Sequence, residues 1–308
     1  MIMKVLIVAS YNKNRFAPFI QEQADALAKA GCEIDYFGIQ GKGVSGYLKQ
    51  LPELKRKIKE FQPNIIHAHY GLSGLLANLQ RKVPVVTTYH GCDINAFKLR
   101  LFSIPSLILS AYNIVVSKQQ YQRVHRFSSK IEVIPCGVSF EQFHPMPKDE
   151  ARAMMGLDKA KTYVLFSSVF SRAEKNSPLA IEAVKLIPNA ELIELDGYSR
   201  DEVCALMNAA DVGLLTSIRE GSPMFVKELL ACNRPVVSTP VGDVVDMLKG
   251  ISGCYISTFN CEDVASKLKK AISFADVELT EHFVEQYDNQ KIVETIKKVY
   301  SFVLNKVK

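Results

Sequence analysis

The sequence predicts an α/β protein made of two doubly wound parallel-sheet halves. Three observations carry this reading. Short apolar runs alternate with helical segments from Lys4 to Val138, a second series of the same kind begins at Tyr163, and the stretch Gln142-Phe-His-Pro-Met-Pro-Lys148 between them holds two prolines that interrupt both patterns. Alternation of this kind argues parallel strands with helices on both faces and ligands at the carboxyl ends of the strands. The first domain is therefore expected over residues 1–148 and the second over 149–288, with a last helix at 289–308.

Lys4-Val-Leu-Ile-Val-Ala9 reads as a buried strand, and Phe19 to Gly31 as an amphipathic helix closed by a C-terminal glycine. Glu33 to Phe37 is a second strand. Pro63 to Tyr70 and Val83 to Asp93 repeat the order of strand then loop, and Ile114 to Ser117 and Ile131 to Val138 complete the half. The second series runs through Tyr163 to Ser167, Pro178 to Leu186, Ala190 to Leu195, Asp201 to Ala209 and Asp211 to Thr216. In the final stretch, Asn289 to Asn305, Ile292, Ile296, Val299 and Val303 share one side.

The most informative segment is Arg219-Glu-Gly-Ser-Pro-Met-Phe-Val-Lys-Glu228, following the apolar run Asp211-Val-Gly-Leu-Leu-Thr216. A buried strand, a small-residue turn with an acid, and a helix whose first amides are free make an anion site edged by carboxylates. Phe225, Leu229 and Leu230 support the helix, which Asn233-Arg-Pro235 stops. The plainer alternative is that Glu228 complements the helix dipole and Glu220 sits in a solvated turn.

Glu220 and Glu228, followed by Leu229-Leu-Ala-Cys-Asn-Arg-Pro-Val-Val-Ser238 and Gly242, resemble the donor-sugar signature of retaining glycosyltransferases of family four. The resemblance implies the GT-B architecture: two Rossmann-like domains facing across a cleft, the first on the acceptor side, the second binding the nucleotide sugar, and the C-terminal helix crossing back to the first. It also implies that Glu220 approaches donor-sugar hydroxyls, that Glu228 holds the ribose, and that the amides of Ser222 to Val226 face the diphosphate and sugar. Pro223 has no amide hydrogen, so Met224 and Phe225 are the better donors. The family's basic pair after the first strand of the second domain has Phe170 at its arginine position here. Its role passes to Arg172 and Lys175, the alternative being an ordinary basic loop. A segment shorter than the family's between Lys175 and Asp211 leaves the nucleobase to Asp196-Gly197-Tyr198-Ser199.

In the first half, the family's glycine-rich loop is replaced by Ser10-Tyr-Asn-Lys-Asn-Arg-Phe-Ala-Pro-Phe19. Asn14 and Arg15 reach an anionic acceptor or the donor phosphates by side chain, or form a solvated turn. His90 falls at a strand end and, by resemblance, borders the reacting sugar and donates to a hydroxyl, while Asp93 orients the loop or the acceptor; a structural histidine is the alternative. His67 and His69 share one strand face, where packing outweighs metal binding because no third ligand is evident.

The resemblance implies a hexosyltransferase of the EC 2.4 class that retains configuration by front-face transfer. Fixed cations and amides stabilise the departing diphosphate, and the chain shows no Asp-x-Asp pair at a strand end, so neither a divalent metal nor a cofactor is expected. Glu194 and Asp196 alternate at a strand end, a weak metal signal. A GT-B sugar-nucleotide epimerase and a non-catalytic nucleotide-sugar-binding accessory protein are the competing readings. No Gly-x-Gly-x-x-Gly follows a strand, against a nicotinamide dehydrogenase.

At 308 residues and 48% hydrophobic content, the chain is long enough for two cores. Residues 1–150 carry 19 Lys and Arg against 11 Asp and Glu, whereas the remainder carry 19 against 21, so the acceptor half is the basic one. Basic residues at 49–59 interleave with Leu48, Leu51, Leu54 and Ile58, offering either a contact for anionic lipid headgroups or a solvated helix face. A lipid-linked saccharide acceptor fits, and nucleic acid does not, since no reading motif accompanies the charge. Seven scattered cysteines without a Cys-x-x-Cys pair predict free thiols in a reducing compartment. With no signal-length leader and no spanning apolar run, the expected location is cytoplasmic, with peripheral contact at the inner membrane face open.

Overall fold

The computed structural model describes residues 2–12 and 14–306. The chain divides into two compact units, Met1–Gly137 with Asn289–Lys308, and Val138–Asp288.

The first unit is built on β1 (Met3–Ser10), β2 (Cys32–Ile39), β3 (Ile65–His69), β4 (Val85–Tyr89), β5 (Tyr112–Val115) and β6 (Ile131–Val133). All are parallel, in the order β2-β1-β3-β4-β5-β6. Helix Pro18–Lys29 buries Ile20, Ala24 and Leu27 and ends at Gly31, whose φ of 90° lies in the left-handed region that closes helices. The last helix, Asn289–Asn305, packs beside it and buries Ile292, Ile296, Val299 and Val303. Two polar clamps fix that packing: Asn289 Nδ2 donates to Glu22 O at 3.1 Å and Lys297 Nζ to Ala30 O at 2.5 Å.

The second unit has β7 (Thr162–Phe166), β8 (Ala190–Ile193), β9 (Val212–Leu215), β10 (Val236–Ser238) and β11 (Tyr255–Ile256), all parallel, in the order β11-β10-β9-β7-β8. Both sheets thus follow one plan, in which the first strand lies between the second and third. Loops leaving β1 and β3, or β7 and β9, diverge at the carboxyl end, and that switch point is where such sheets bind ligands. Side chains alternate across the second sheet: Leu165 and Leu215 join a core with Phe225 and Leu229, whereas Val164, Phe166 and Leu214 join the opposite one.

Gly213 on β9 lets helix Met224–Ala231 lie against the sheet, since a Cβ there would sit 1.9 Å from Leu229 Cδ1. Gly213→Ala is expected to destabilise the protein by roughly 1–3 kcal/mol through overpacking, read as a lower urea midpoint at unchanged slope.

The unit boundary falls between Gly137 and Val138 rather than at 148. The prolines at 145 and 147 interrupt regular structure, yet the segment is packed into the second unit. Phe143 is fully buried, Met146 N donates to Asn208 Oδ1 at 2.8 Å, and Arg234 donates to Met146 O at 3.2 Å.

The basic segment at 48–59 also differs from a lipid-facing helix. Leu48 ends helix Gly43–Leu48, and the following helix, Leu51–Phe61, turns Leu54 and Ile58 into the core. Arg56 pairs with Glu53, and Lys57 Nζ lies 2.5 Å from Asp35 Oδ2. None of the seven cysteines is in a disulfide, and no helix among the described residues is long and apolar enough to cross a membrane.

Candidate active site

In the second unit, the loops after β7 and β9 are stitched together at the switch point. Thr216 Oγ1 donates to the carbonyls of Lys175 (2.9 Å) and Asn176 (3.0 Å), and Ile218 N donates to Glu174 O at 2.9 Å. Asn176 takes a left-handed φ of 53°, which turns the chain from the short turn Ala173–Lys175 into helix Ser177–Lys185. This brings Lys175 Nζ to 2.6 Å from Glu220 Oε1, which also accepts from Ser217 Oγ at 2.7 Å. The two side chains are only 12% and 15% exposed, so their attraction is screened less than that of a surface pair.

Glu220 precedes helix Met224–Ala231, whose N-cap is Pro223 with no side-chain cap. The amides of Met224, Phe225 and Val226 belong to the first turn, where no intrahelical acceptor exists. Ser222 lies below them in a buried network. Lys227 Nζ, fully buried, donates to Ser222 Oγ at 2.6 Å, and Ser222 Oγ donates to Asp243 Oδ2 at 2.6 Å. Burial raises the Asp243 carboxyl above its ordinary range, opposed by Lys227. Gly242, at φ 58°, passes so close that a Cβ would meet Gly221 O at 2.6 Å.

Glu228, on the second turn, is 7% exposed and accepts from Arg200 at 2.6 Å. Arg200 lies over the Phe143 ring, 4.5 Å from its centroid, and opens helix Arg200–Ala209. It therefore links Glu228 to the loop of Gly197, at φ 78°, and the partly exposed Tyr198. Sequence reasoning missed Arg200. The available signal was a cation in the first turn, where the helix dipole disfavours it unless a carboxylate is near.

Arg172 and Lys175 take different partners. The Arg172 guanidinium donates to Glu174 Oε1 at 2.8 and 2.5 Å in a half-exposed pair, leaving Lys175 as the cation beside Glu220. Glu194 accepts from Phe170 N at 2.5 Å, which ties down the loop after β7.

In the first unit, His67, His69 and His90 form a stack at the ends of β3 and β4, with ring centroids 4.5 and 5.2 Å apart. His67 contacts Tyr300 OH at 2.5 Å and Thr88 Oγ1 at 2.7 Å. His69 Nδ1 is 2.9 Å from His90 Nε2, and His90 Nδ1 is 3.5 Å from Cys136 Sγ. Asp93 is buried and accepts from Gly91 N at 3.0 Å and Gly71 N at 3.2 Å, joining the loops after β3 and β4. Burial pushes its carboxyl up to about 6 against those amides. Asn14, with φ 53°, and Arg15 are exposed on the loop after β1.

Burial holds His67 down to about 3 and His69 well below 6.5, the latter aided by His67 and His90. Both are neutral when folded and titrate near 6.5 when unfolded, so the unfolded chain binds more protons below that pH. Their stabilising contribution is complete above pH 6.5 and falls by about 1.4 kcal/mol per pH unit per histidine on acidification. Asp93, which takes up a proton in the folded chain near pH 6, opposes one histidine, so urea titrations between pH 7 and 5 are expected to show a slope shallower than two histidines give, reduced by one further proton in His69→Gln.

A sequence profile of Glycosyltransferase Family 4 matches residues 34–142, and one of Glycosyl transferases group 1 matches residues 174–273. The two profiles fall one in each half of the chain, which belongs to the family-four, group 1 glycosyltransferases, and its two parallel-sheet units have the GT-B fold of the solved structures it resembles. A Bacillus subtilis glycosyltransferase assigned to teichuronic acid biosynthesis is 26% identical over 222 residues, 61% of this chain and 56% of the relative. The chain thus spans little more than half the length of that relative. Sucrose-phosphate synthase from Thermosynechococcus elongatus superposes with a TM-score of 0.82 at 15% identity, covering 99% of this chain and 100% of the other. Anabaena HepE in complex with UDP-glucose gives 0.74 at 13% identity, covering 97% and 100%.

Proposed function

We propose that this protein transfers a sugar from a nucleotide-sugar donor to a hydroxyl of a saccharide or lipid-linked saccharide, retaining anomeric configuration and using no divalent metal. The observation that carries the reading is the enclosed Lys175–Glu220 pair at the switch point of β7 and β9, one turn before the free amides of helix Met224–Ala231. Positive charge and amides at that position suit a diphosphate, and Glu220 suits the hydroxyls of the sugar attached to it. The UDP-glucose bound by Anabaena HepE supports a nucleotide sugar as donor.

In the reaction, the bond from the anomeric carbon to the diphosphate oxygen breaks and a bond to the acceptor oxygen forms on the same face. The acceptor proton passes to the departing diphosphate. Lys175 and the amides of Met224 and Phe225 stabilise the leaving charge, Glu220 fixes the sugar, and Glu228 holds the ribose. On the acceptor side, His90 borders the reacting sugar, and Asp93 keeps its loop in place. Seven cysteines outside any disulfide fit a reducing, cytoplasmic location.

The test is transfer from a panel of nucleotide sugars to saccharide and lipid-linked acceptors, with EDTA or magnesium, and with the product anomer assigned by NMR. Retained configuration and undiminished rate in EDTA support the reading. An inverted product or a strict metal requirement overturns its mechanism, and donor binding without transfer to any acceptor points to an accessory role.

A further inference from the structure

Helix Phe97–Leu109 in the first unit is amphipathic in the reverse sense for a protein in water. Its inner side is made of small polar residues, with Ser103 and Ser106 buried beside Leu107. Ser103 Oγ donates to Asp93 O at 3.0 Å, and Ser106 Oγ accepts from Tyr89 OH at 3.1 Å. The inner side fits helix Gly71–Asn78 closely, since a Cβ on Gly71 or Gly74 would lie 2.0 or 2.2 Å from a serine hydroxyl. The outer side carries Phe97 (65% exposed), Leu101 (50%) and Ile108 (63%) in one stripe, flanked by exposed Phe102 and Leu109. Isolated apolar side chains on a surface need no explanation, whereas a contiguous stripe of large ones marks an interaction face.

Charge narrows the occupant. Residues 94–131 contain Lys98, Arg100, Lys118, Arg123, Arg126 and Lys130 and no Asp or Glu. Arg100 lies over the Phe97 ring at 5.4 Å, and the turn His125–Phe127, with exposed Arg126, packs against the helix. Large apolar side chains with Lys98, Arg100 and Arg126 beside them, in a stretch of chain without acids, match an interface with apolar interior and anionic headgroups.

We infer that the outer face of helix Phe97–Leu109 docks the protein on an anionic lipid bilayer, with Phe97, Leu101 and Ile108 inserted among the acyl chains and the flanking cations on the headgroups. The inference deepens the acceptor half of the proposed function, placing a lipid-linked acceptor where this helix rests. It assigns the contact to this helix and away from Leu51–Phe61, whose apolar side is spent on the core.

The test is co-sedimentation of the full chain with vesicles of phosphatidylcholine alone or with about a third phosphatidylglycerol. It needs neither nucleotide nor transfer, so its failure and that of the donor site are separable. Binding is expected only to the anionic vesicles and to weaken with salt. Phe97→Ser/Leu101→Ser/Ile108→Ser should weaken it at least about tenfold, Lys98→Glu/Arg126→Glu likewise, and Lys55→Ser/Lys59→Ser less than about twofold, all at unchanged melting temperature. Failure of the wild type to bind overturns the inference, as does binding that survives the triple substitution or is abolished by the Lys55/Lys59 pair. A wild-type dimer made monomeric by the triple substitution, with no vesicle binding, shows instead that the face joins two copies of this chain.

Discussion

Glu220→Gln is expected to lower kcat for sugar transfer by about a hundredfold or more while leaving nucleotide affinity unchanged or improved. The carboxylate accepts from Lys175 Nζ at 2.6 Å and from Ser217 Oγ at 2.7 Å, which fix its orientation in a mostly enclosed position. Gln keeps the shape but, in the proposed reaction, would remove the charge-assisted hydrogen bonds to the sugar's hydroxyls as charge builds at the anomeric carbon. A hundredfold loss corresponds to about 2.7 kcal/mol of transition-state stabilisation, the scale of one well-placed charged contact. The diphosphate responds in the opposite sense, because removing a negative charge beside Lys175 leaves that cation freer to pair with phosphate. The check is a split between steady-state kcat and calorimetric Kd. A fall in both to the same extent would make Glu220 a general scaffold residue.

Glu228→Ala is expected to act on binding. Its carboxylate is 7% exposed and oriented by Arg200 at 2.6 Å, a geometry suited to accepting from ribose hydroxyls. Loss of a hydrogen bond to a charged group costs about 1.5–3 kcal/mol, so Kd for the nucleotide should rise roughly 10- to 100-fold. A 2′,3′-dideoxynucleotide separates this role from helix support: wild type should bind it as weakly as Glu228→Ala binds the ribonucleotide, and the variant should not tell the two apart. Equal losses for both nucleotides would assign Glu228 to the fold.

The sheet framework was legible because it rests on local pattern. The apolar runs of β1, β4, β7 and β9 are buried on both faces and need no long-range information, and the terminal helix declares its buried stripe at helical spacing. Likewise, the turn with Glu220 at the end of β9 is visible as strand, small residues and acid in sequence. What stayed hidden depends on pairing across distance. Arg200 reaches Glu228 across 28 positions, and Lys227, Ser222 and Asp243 are joined only by folding. Sequence could not show that Arg172 pairs with Glu174 while Lys175, after the turn Ala173–Lys175, reaches Glu220. Prolines at 145 and 147 mimicked a linker because sequence shows the broken pattern but not the side chains of Asn208 and Arg234 that satisfy its backbone. The helix at 97–109 misleads by hydrophobicity, since apolar residues are ordinarily placed inward and here serines occupy that side.

The central claim, a donor site built on Lys175, Glu220 and Glu228, is tested most directly by calorimetric titration of nucleoside diphosphates and their sugar conjugates into the full chain in EDTA, beside Lys175→Ala. The account predicts that one nucleotide binds selectively without metal and that Lys175→Ala weakens it at least about tenfold, as expected for loss of a cation on a diphosphate. Binding of no nucleotide, or binding that Lys175→Ala leaves unchanged, would contradict it.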